Sequence, residues 1–204
     1  MSRFLSFLFP QYTWKRTTSE KVVYLTFDDG PIPGVTEWVL DLLKEQQIKA
    51  TFFCIGDNIR KHPHVFQRLL AEKHQVGNHT FNHLKGWKTP LKEYIANFHQ
   101  CQQEIEKHQK PLAQLFRPPY GKIKKEQGKY IVDQGYEVIM WSLITKDYEA
   151  KISPQACLNR TLKRVKPGSI IVFHDSIKAE KNMKYTLPLL IKHLKEKGYS
   201  FALL

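Results

Sequence analysis

Two hydrophobic periods take turns along this chain. From Lys21, "KVVYLTF" is continuous, β-branched and aromatic, the pattern of a buried strand. "TEWVLDLLKEQQ" then sets Trp38, Val39, Leu42 and Leu43 at helical spacing, with Thr36 as a candidate N-cap. "KATFFCIG" predicts the next strand, and "DNIRKHPHVFQRLLAEKH" reads as helical in its second half. "QVGNHT" predicts a short strand, "LKEYIANFHQCQQEIEKHQ" a long amphipathic helix, and "QLFRPPYG" a short strand ending in a rigid turn. "KEQGKYIVDQG" is helical and "YEVIMWSL" extended. "SPQACLNRTLKRV" is a helix with Ser153 as N-cap and Pro154 in the first position. "GSIIVFHD" is a strand, "TLPLLIKHLKEKG" a helix closed by Gly198, and "YSFALL" a final strand.

About seven strands alternating with six helices predict an α/β domain whose parallel sheet is covered by helices. An open doubly wound sheet and a closed barrel both satisfy the pattern. So many units in one small domain favour a distorted (β/α) barrel of about seven parallel strands. No repeat, low-complexity tract or linker divides residues 21–204, and a chain of 204 residues suits a single domain. Residues 1–20 are expected to form an N-terminal extension packed on it.

The polar residues matter once their positions are set against these elements. Asp28 and Asp29 end the first strand, and His79 and His83 follow the third. Arg117 and Tyr120 follow the fourth, Asp147 follows "MWSL", and His174 ends the sixth. In a parallel barrel or an open sheet, these ends share one edge, where active sites are built. "DDGP" by itself is ordinary turn chemistry. His79 and His83 are four apart, so a helical turn would put both rings on one face. With Asp29 on the same rim, the set has the composition of a catalytic zinc shell. Ligand type leaves other divalent transition metals, such as cobalt, nickel or manganese, open.

Composition narrows the partners. The formal net charge is +13, which favours polyanionic surroundings such as an anionic cell-wall polymer or membrane surface. No nucleic-acid-binding motif accompanies it, and lysines such as Lys122, Lys124, Lys125 and Lys129 read as a solvated basic surface. The three cysteines are dispersed, without a CxxC pair, which points to a reducing compartment. "MSRFLSFLFPQY" is too short for a membrane span and lacks the layout of an export signal. A cytoplasmic or membrane-peripheral monomer is expected, with the apolar start touching a membrane surface.

The ordered motifs "TFDDG", "HTFNH", "RPPYG", "WSLITKDY" and "VFH" resemble those of the polysaccharide deacetylases, the NodB-homology group or carbohydrate esterase family 4. The likeness runs from about Lys21 to the end of the chain. It implies a barrel with fewer than eight strands and a metal-dependent hydrolase. Such an enzyme removes N-acetyl groups from an amino-sugar glycan of chitin-oligosaccharide or peptidoglycan type. Asp29, His79 and His83 would then bind the metal, zinc first, and Asp28 would be the general base. His174 would be the general acid, and the backbone N–H of Tyr120 would stabilise the oxyanion. Arg117 would orient Asp28 and keep it ionised, and Asp147 would keep His174 protonated. Trp141, Tyr148, Val172 and Pro119 would wall the acetyl pocket.

Three positions depart from the family pattern: Ile144 stands where an aspartate is common, Tyr148 where tryptophan is, and Val172 where leucine is. None of them is an expected ligand, base or acid. The competing expectations are a related amide hydrolase, deformylating an aminosugar lipid or opening a cyclic amide, and an inactive glycan-binding module.

Overall fold

The computed structural model describes Phe7, residues 9–109 and residues 113–204. Among these, eight strands and seven α-helices follow one another. They are β1 (Val22–Asp28), α1 (Val35–Glu45), β2 (Thr51–Cys54), α2 (Gly56–Lys61), α3 (Pro63–Ala71), β3 (Gln75–Asn78), α4 (Leu91–Glu106) and β4 (Leu115–Phe116). Then come α5 (Lys125–Asp133), β5 (Glu137–Val138), β6 (Leu143–Ile144), α6 (Pro154–Leu162), β7 (Ile170–His174), α7 (Glu180–Glu196) and β8 (Ser200–Phe201). Seven strands form a parallel sheet in the order β5-β4-β3-β2-β1-β7-β6, curled into the expected distorted barrel. The eighth, β8, pairs only with Val22 and Val23 at the start of β1.

Strand period decides which residues meet the site. In β1 and β7, Val23, Leu25, Phe27, Ile171 and Phe173 join Val39, Leu43, Leu187 and Leu190 of the helices in the main core. The alternate residues Tyr24, Thr26, Asp28, Ile170, Val172 and His174 line the concave face. Register pairs Asp28 with His174, so the last residues of two neighbouring strands stand side by side.

Two runs fold differently from their sequence pattern. "YEVIMWSL" is two short strands, because its backbone changes partners midway. β5 pairs with β4, whereas β6 pairs with β7. Between them the Ile139 and Met140 carbonyls accept the Arg117 guanidinium at 3.1 Å each, and the Met140 N–H donates to Thr13. "DNIRKHPHVFQRLLAEKH" is helical in both halves, broken at His62, whose backbone leaves helical geometry before Pro63. The first half is held as a helix because the Gly56 and Asp57 N–H groups donate to Thr80 and Phe81, the loop that carries the paired histidines.

Within the expected N-terminal extension, Tyr12 and Trp14 are buried in a cluster with Phe98, Phe116 and Tyr136. Thr13 bridges to Ile139 and Lys15 to Ser169, so this segment spans the opening between the β5 edge and the start of β7. Arg16 clamps Glu137 through two hydrogen bonds of 2.7 and 3.0 Å. Of the apolar start expected to touch a membrane, residues 1–6 and 8 lie outside the described set. No helix among the described residues is long and apolar enough to cross a membrane. The three cysteines are free and buried.

Candidate active site

Every expected site residue lies at or just beyond the C-terminal end of a sheet strand, or on the concave face below it. Asp29, His79 and His83 converge, with one ligand atom of each within 4.8 Å of the others. The Asp29 Oδ1 atom is 3.2 Å from His83 Nε2 and 3.8 Å from His79 Nε2. The histidines do not share a helical turn. Left-handed backbone at Thr80 (φ 64°) and His83 (φ 56°) folds the loop back and brings the rings to 5.1 Å. Asn97 of α4 holds that fold, its side-chain oxygen accepting the Phe81 and Asn82 N–H groups.

The donor set suits a divalent cation. His79 Nδ1 donates to the Arg117 carbonyl at 2.7 Å, which fixes the proton there and leaves Nε2 with its lone pair toward Asp29. Burial lowers the His79 pKa to about 4, so the ring is neutral at physiological pH, as a ligand must be. Burial works to raise the Asp29 carboxyl, but the His83 hydrogen bond and the nearby His174 and His79 overcome it. They hold the carboxyl below the usual range. Two imidazoles and a carboxylate around one point form a donor set of the kind that an open catalytic metal site uses.

Asp28 has a different partner. Its Oδ1 accepts the Arg117 guanidinium at 2.7 Å, and the side chains are 5% and 0% exposed. Arg117 also donates to Thr26 Oγ1 at 2.7 Å and stacks 4.1 Å from the Phe53 ring centroid. With the Ile139 and Met140 carbonyls, its donors are well used, which is what permits a cation in the barrel interior. Adjacent carboxylates therefore face different cations: Asp28 a buried guanidinium, Asp29 the histidine pair.

His174 is bound by Asp147 through both ring and backbone, Nδ1 to Oδ1 and N–H to Oδ2, each at 2.8 Å. Burial opposes protonation of the ring, yet the charge and hydrogen bond of Asp147, with Asp29 and Asp28 beyond, raise its pKa to about 9. The Tyr148 ring stands edge-on to His174 at 4.8 Å between centroids.

Tyr120 sits in a left-handed turn (φ 60°) after buried Pro119, and no acceptor among the described residues takes its N–H. Its ring is exposed and lies 4.6 Å from that of His83. Gly121 must be glycine here: its φ is 63°, and a Cβ would come within 2.5 Å of the Trp141 ring. Val172 is fully buried, its carbonyl accepting the Thr145 N–H and hydroxyl. Ile144 pairs with it in register.

Besides Asn97, three residues absent from the sequence reading hold the loops. Buried Asp175 accepts the Gly30 N–H at 3.0 Å and the Thr36 hydroxyl at 2.6 Å, and its own N–H donates to the Asp28 carbonyl at 3.0 Å. Burial pushes its carboxyl up to about 8. A Cβ on Gly30 would come within 1.9 Å of it. Asn58 donates to the Asp29 carbonyl at 2.7 Å, where Asp29 itself has a φ of 85°. Asn182 of α7 donates to the Asp147 carbonyl at 3.0 Å. The only local signal was "VFHD", in which Asp175 follows His174; the asparagines sit in helices and carry no motif.

Residues 15–139 match the family model described as polysaccharide deacetylase. The chain is 34% identical over 192 residues to a peptidoglycan-N-acetylglucosamine deacetylase of Bacillus cereus, covering 93% of this chain and 89% of that one. It is 33% identical over 162 residues to a chitooligosaccharide deacetylase of Azorhizobium caulinodans, covering 78% and 76% of the two. It also superimposes on the crystal structure of a peptidoglycan N-acetylglucosamine deacetylase in complex with a naphthalenyl N-oxidanyl-benzamide. There the TM-score is 0.91 at 31% identity, covering 98% of this chain and 94% of that one.

Proposed function

The chain belongs to the polysaccharide deacetylase family, and on that premise we propose how it removes N-acetyl groups from an amino-sugar glycan and releases acetate. The glycan is of peptidoglycan or chitin-oligosaccharide type, the substrates named for its relatives. Enzymes of this family are metal-dependent, and Asp29, His79 and His83 would hold the ion, with zinc the first choice. The observation that carries this reading is the grouping of that trio on one rim with two separately paired groups, Asp28 with Arg117 and His174 with Asp147.

When bound, a divalent ion polarises the amide carbonyl and acidifies water. The remaining work falls to the protein. Arg117 engages Oδ1 of Asp28 and leaves Oδ2 to take the proton of the attacking water. The Tyr120 N–H donates to the oxygen that becomes negative, a contribution typically worth about 100- to 1000-fold in rate. His174, protonated by virtue of Asp147, delivers a proton to the departing nitrogen. Asp28 and His174 stand on neighbouring strand ends, so base and acid reach one bound group from the same floor.

The test is acetate release from N-acetylglucosamine oligomers and from peptidoglycan. It compares metal-stripped protein, zinc- or cobalt-reconstituted protein and the Asp28→Asn variant. Release that needs metal and disappears in the variant is the expected result. Metal binding without release from either substrate would move the activity to another amide or to glycan binding alone. Failure to bind metal would overturn the assignment of the trio.

A further inference from the structure

Beside His83 the surface carries two large exposed aromatic rings, Tyr120 at 57% and Trp87 at 60% exposure. Lys85 lies over the Tyr120 ring and Lys122 over the Trp87 ring, so the two exposed rings stand on interlocked loops as one patch rather than as scattered single side chains. The Trp87 ring is anchored. The Trp87 indole N–H donates to the Ile123 carbonyl at 3.2 Å, which fixes the ring while leaving most of it open. Trp87 sits in a 3-10 turn, Gly86–Lys88, pinned from beneath by buried Gln127. That side chain donates to the Gly86 carbonyl at 3.1 Å and the Thr89 carbonyl at 3.0 Å. Each aromatic ring is accompanied by an ammonium: Lys122 Nζ is 4.9 Å from the Trp87 centroid, and Lys85 Nζ is 5.6 Å from that of Tyr120. The ion-paired lysines among the described residues are Lys61, Lys107, Lys129, Lys146 and Lys184, so neither Lys85 nor Lys122 has a carboxylate partner there.

We propose that Tyr120, Lys85, Trp87 and Lys122 form an extended subsite leading away from the candidate metal ligand His83, for a glycan strand bearing carboxylates. The proposal rests on the deacetylase reading and narrows it to an anionic substrate. Sugar rings present apolar C–H faces that stack on fixed aromatic rings, and a carboxylate substituent meets an ammonium beside each ring. The platform is continuous with the site, because the Tyr120 ring already touches His83. The anchored Trp87 ring has little ordering cost on binding.

The experiment uses two probes: the neutral N-acetylglucosamine pentamer, and glycan strands alternating N-acetylglucosamine with N-acetylmuramic acid, whose lactyl group supplies the carboxylate. Trp87→Ala should raise KM about tenfold for both, with kcat held within about twofold. The double variant Lys85→Gln/Lys122→Gln should raise KM more for the muramyl strand than for the pentamer and flatten its dependence on salt. Lys163→Gln/Lys166→Gln, just before β7 and so on the opposite end of the sheet, is the charge-matched control and should change neither. Calorimetric binding of the same two probes reads the platform without turnover. Unchanged KM and affinity in Trp87→Ala, or equal losses for both probes in the lysine variant, would overturn the subsite. Absent acetate release with binding that still depends on Trp87 would instead count against the deacetylase reading alone.

Discussion

His174 and Asp147 are joined twice, ring nitrogen to one carboxylate oxygen and backbone N–H to the other, at 2.8 Å each. That bidentate hold fixes the imidazole's direction and its charge. Burial alone would favour the neutral ring; Asp147 reverses this and brings the pKa to about 9. The acid role proposed for His174 needs the protonated ring, so kcat/KM should hold through neutral pH and fall as pH rises through about 9. Asp147→Asn removes the charge and should move that alkaline limb down by about 1 to 3 units. The pH profiles of the two proteins, measured side by side, check it; an unmoved limb would remove His174 from the role of acid.

Metal removal should cost stability as well as rate, because the three proposed ligands come from the loops after β1 and β3. An ion that binds only the folded chain adds about 2.7 kcal/mol at a hundred times its Kd. Chelation should therefore lower Tm, zinc should restore it, and His79→Ala should abolish the response. A thermal melt series with and without zinc reads this independently of catalysis.

Arg117 should be far less replaceable than its count of one ion pair suggests. Arg117→Met leaves Asp28 buried without its cation and takes donors from Ile139 and Met140. The expected cost is about 3 to 5 kcal/mol. Asp28→Asn spares the other three acceptors of Arg117 and should cost less while abolishing turnover. Urea unfolding of both variants gives the order.

Asp175 should act through the loop it holds. Asp175→Asn can still accept the Gly30 N–H and donate to Thr36, so it should retain most metal affinity and activity. Asp175→Ala leaves both groups unsatisfied in a buried place, about 1 to 3 kcal/mol for each, and should loosen Asp29 and weaken metal binding. Zinc titration of the two variants separates a positioning role from simple destabilisation: equal loss in both would contradict it.

The alternation of periods was enough to expose the parallel sheet, and strand-end positions were enough to gather Asp28, Asp29, His79, Arg117 and His174 on one rim. What escaped the sequence was set by long-range partners. Nothing in "YEVIMWSL" shows that Arg117 will take two of its carbonyls and split it. Nothing in "NHTFNH" shows that left-handed backbone, rather than a helical turn, brings the rings together. Asn58, Asn97 and Asn182 look like ordinary helix residues until the loops they hold are seen. Trp87 carries no periodic signal because its role depends on Ile123 and Gln127, far along the chain.

The guanidinium of Arg117 ties the barrel's open side to the carboxylate at its centre, and this constrains descent as well as structure. A descendant that gave up catalysis by losing Asp28 alone would inherit an enclosed cation with its counter-charge gone. Loss of Arg117 alone would strand the carboxylate. The two positions are bound to one fate: relatives that have drifted from this chemistry should show them replaced as a pair, with the seam around Ile139 and Met140 rebuilt in the same lineage.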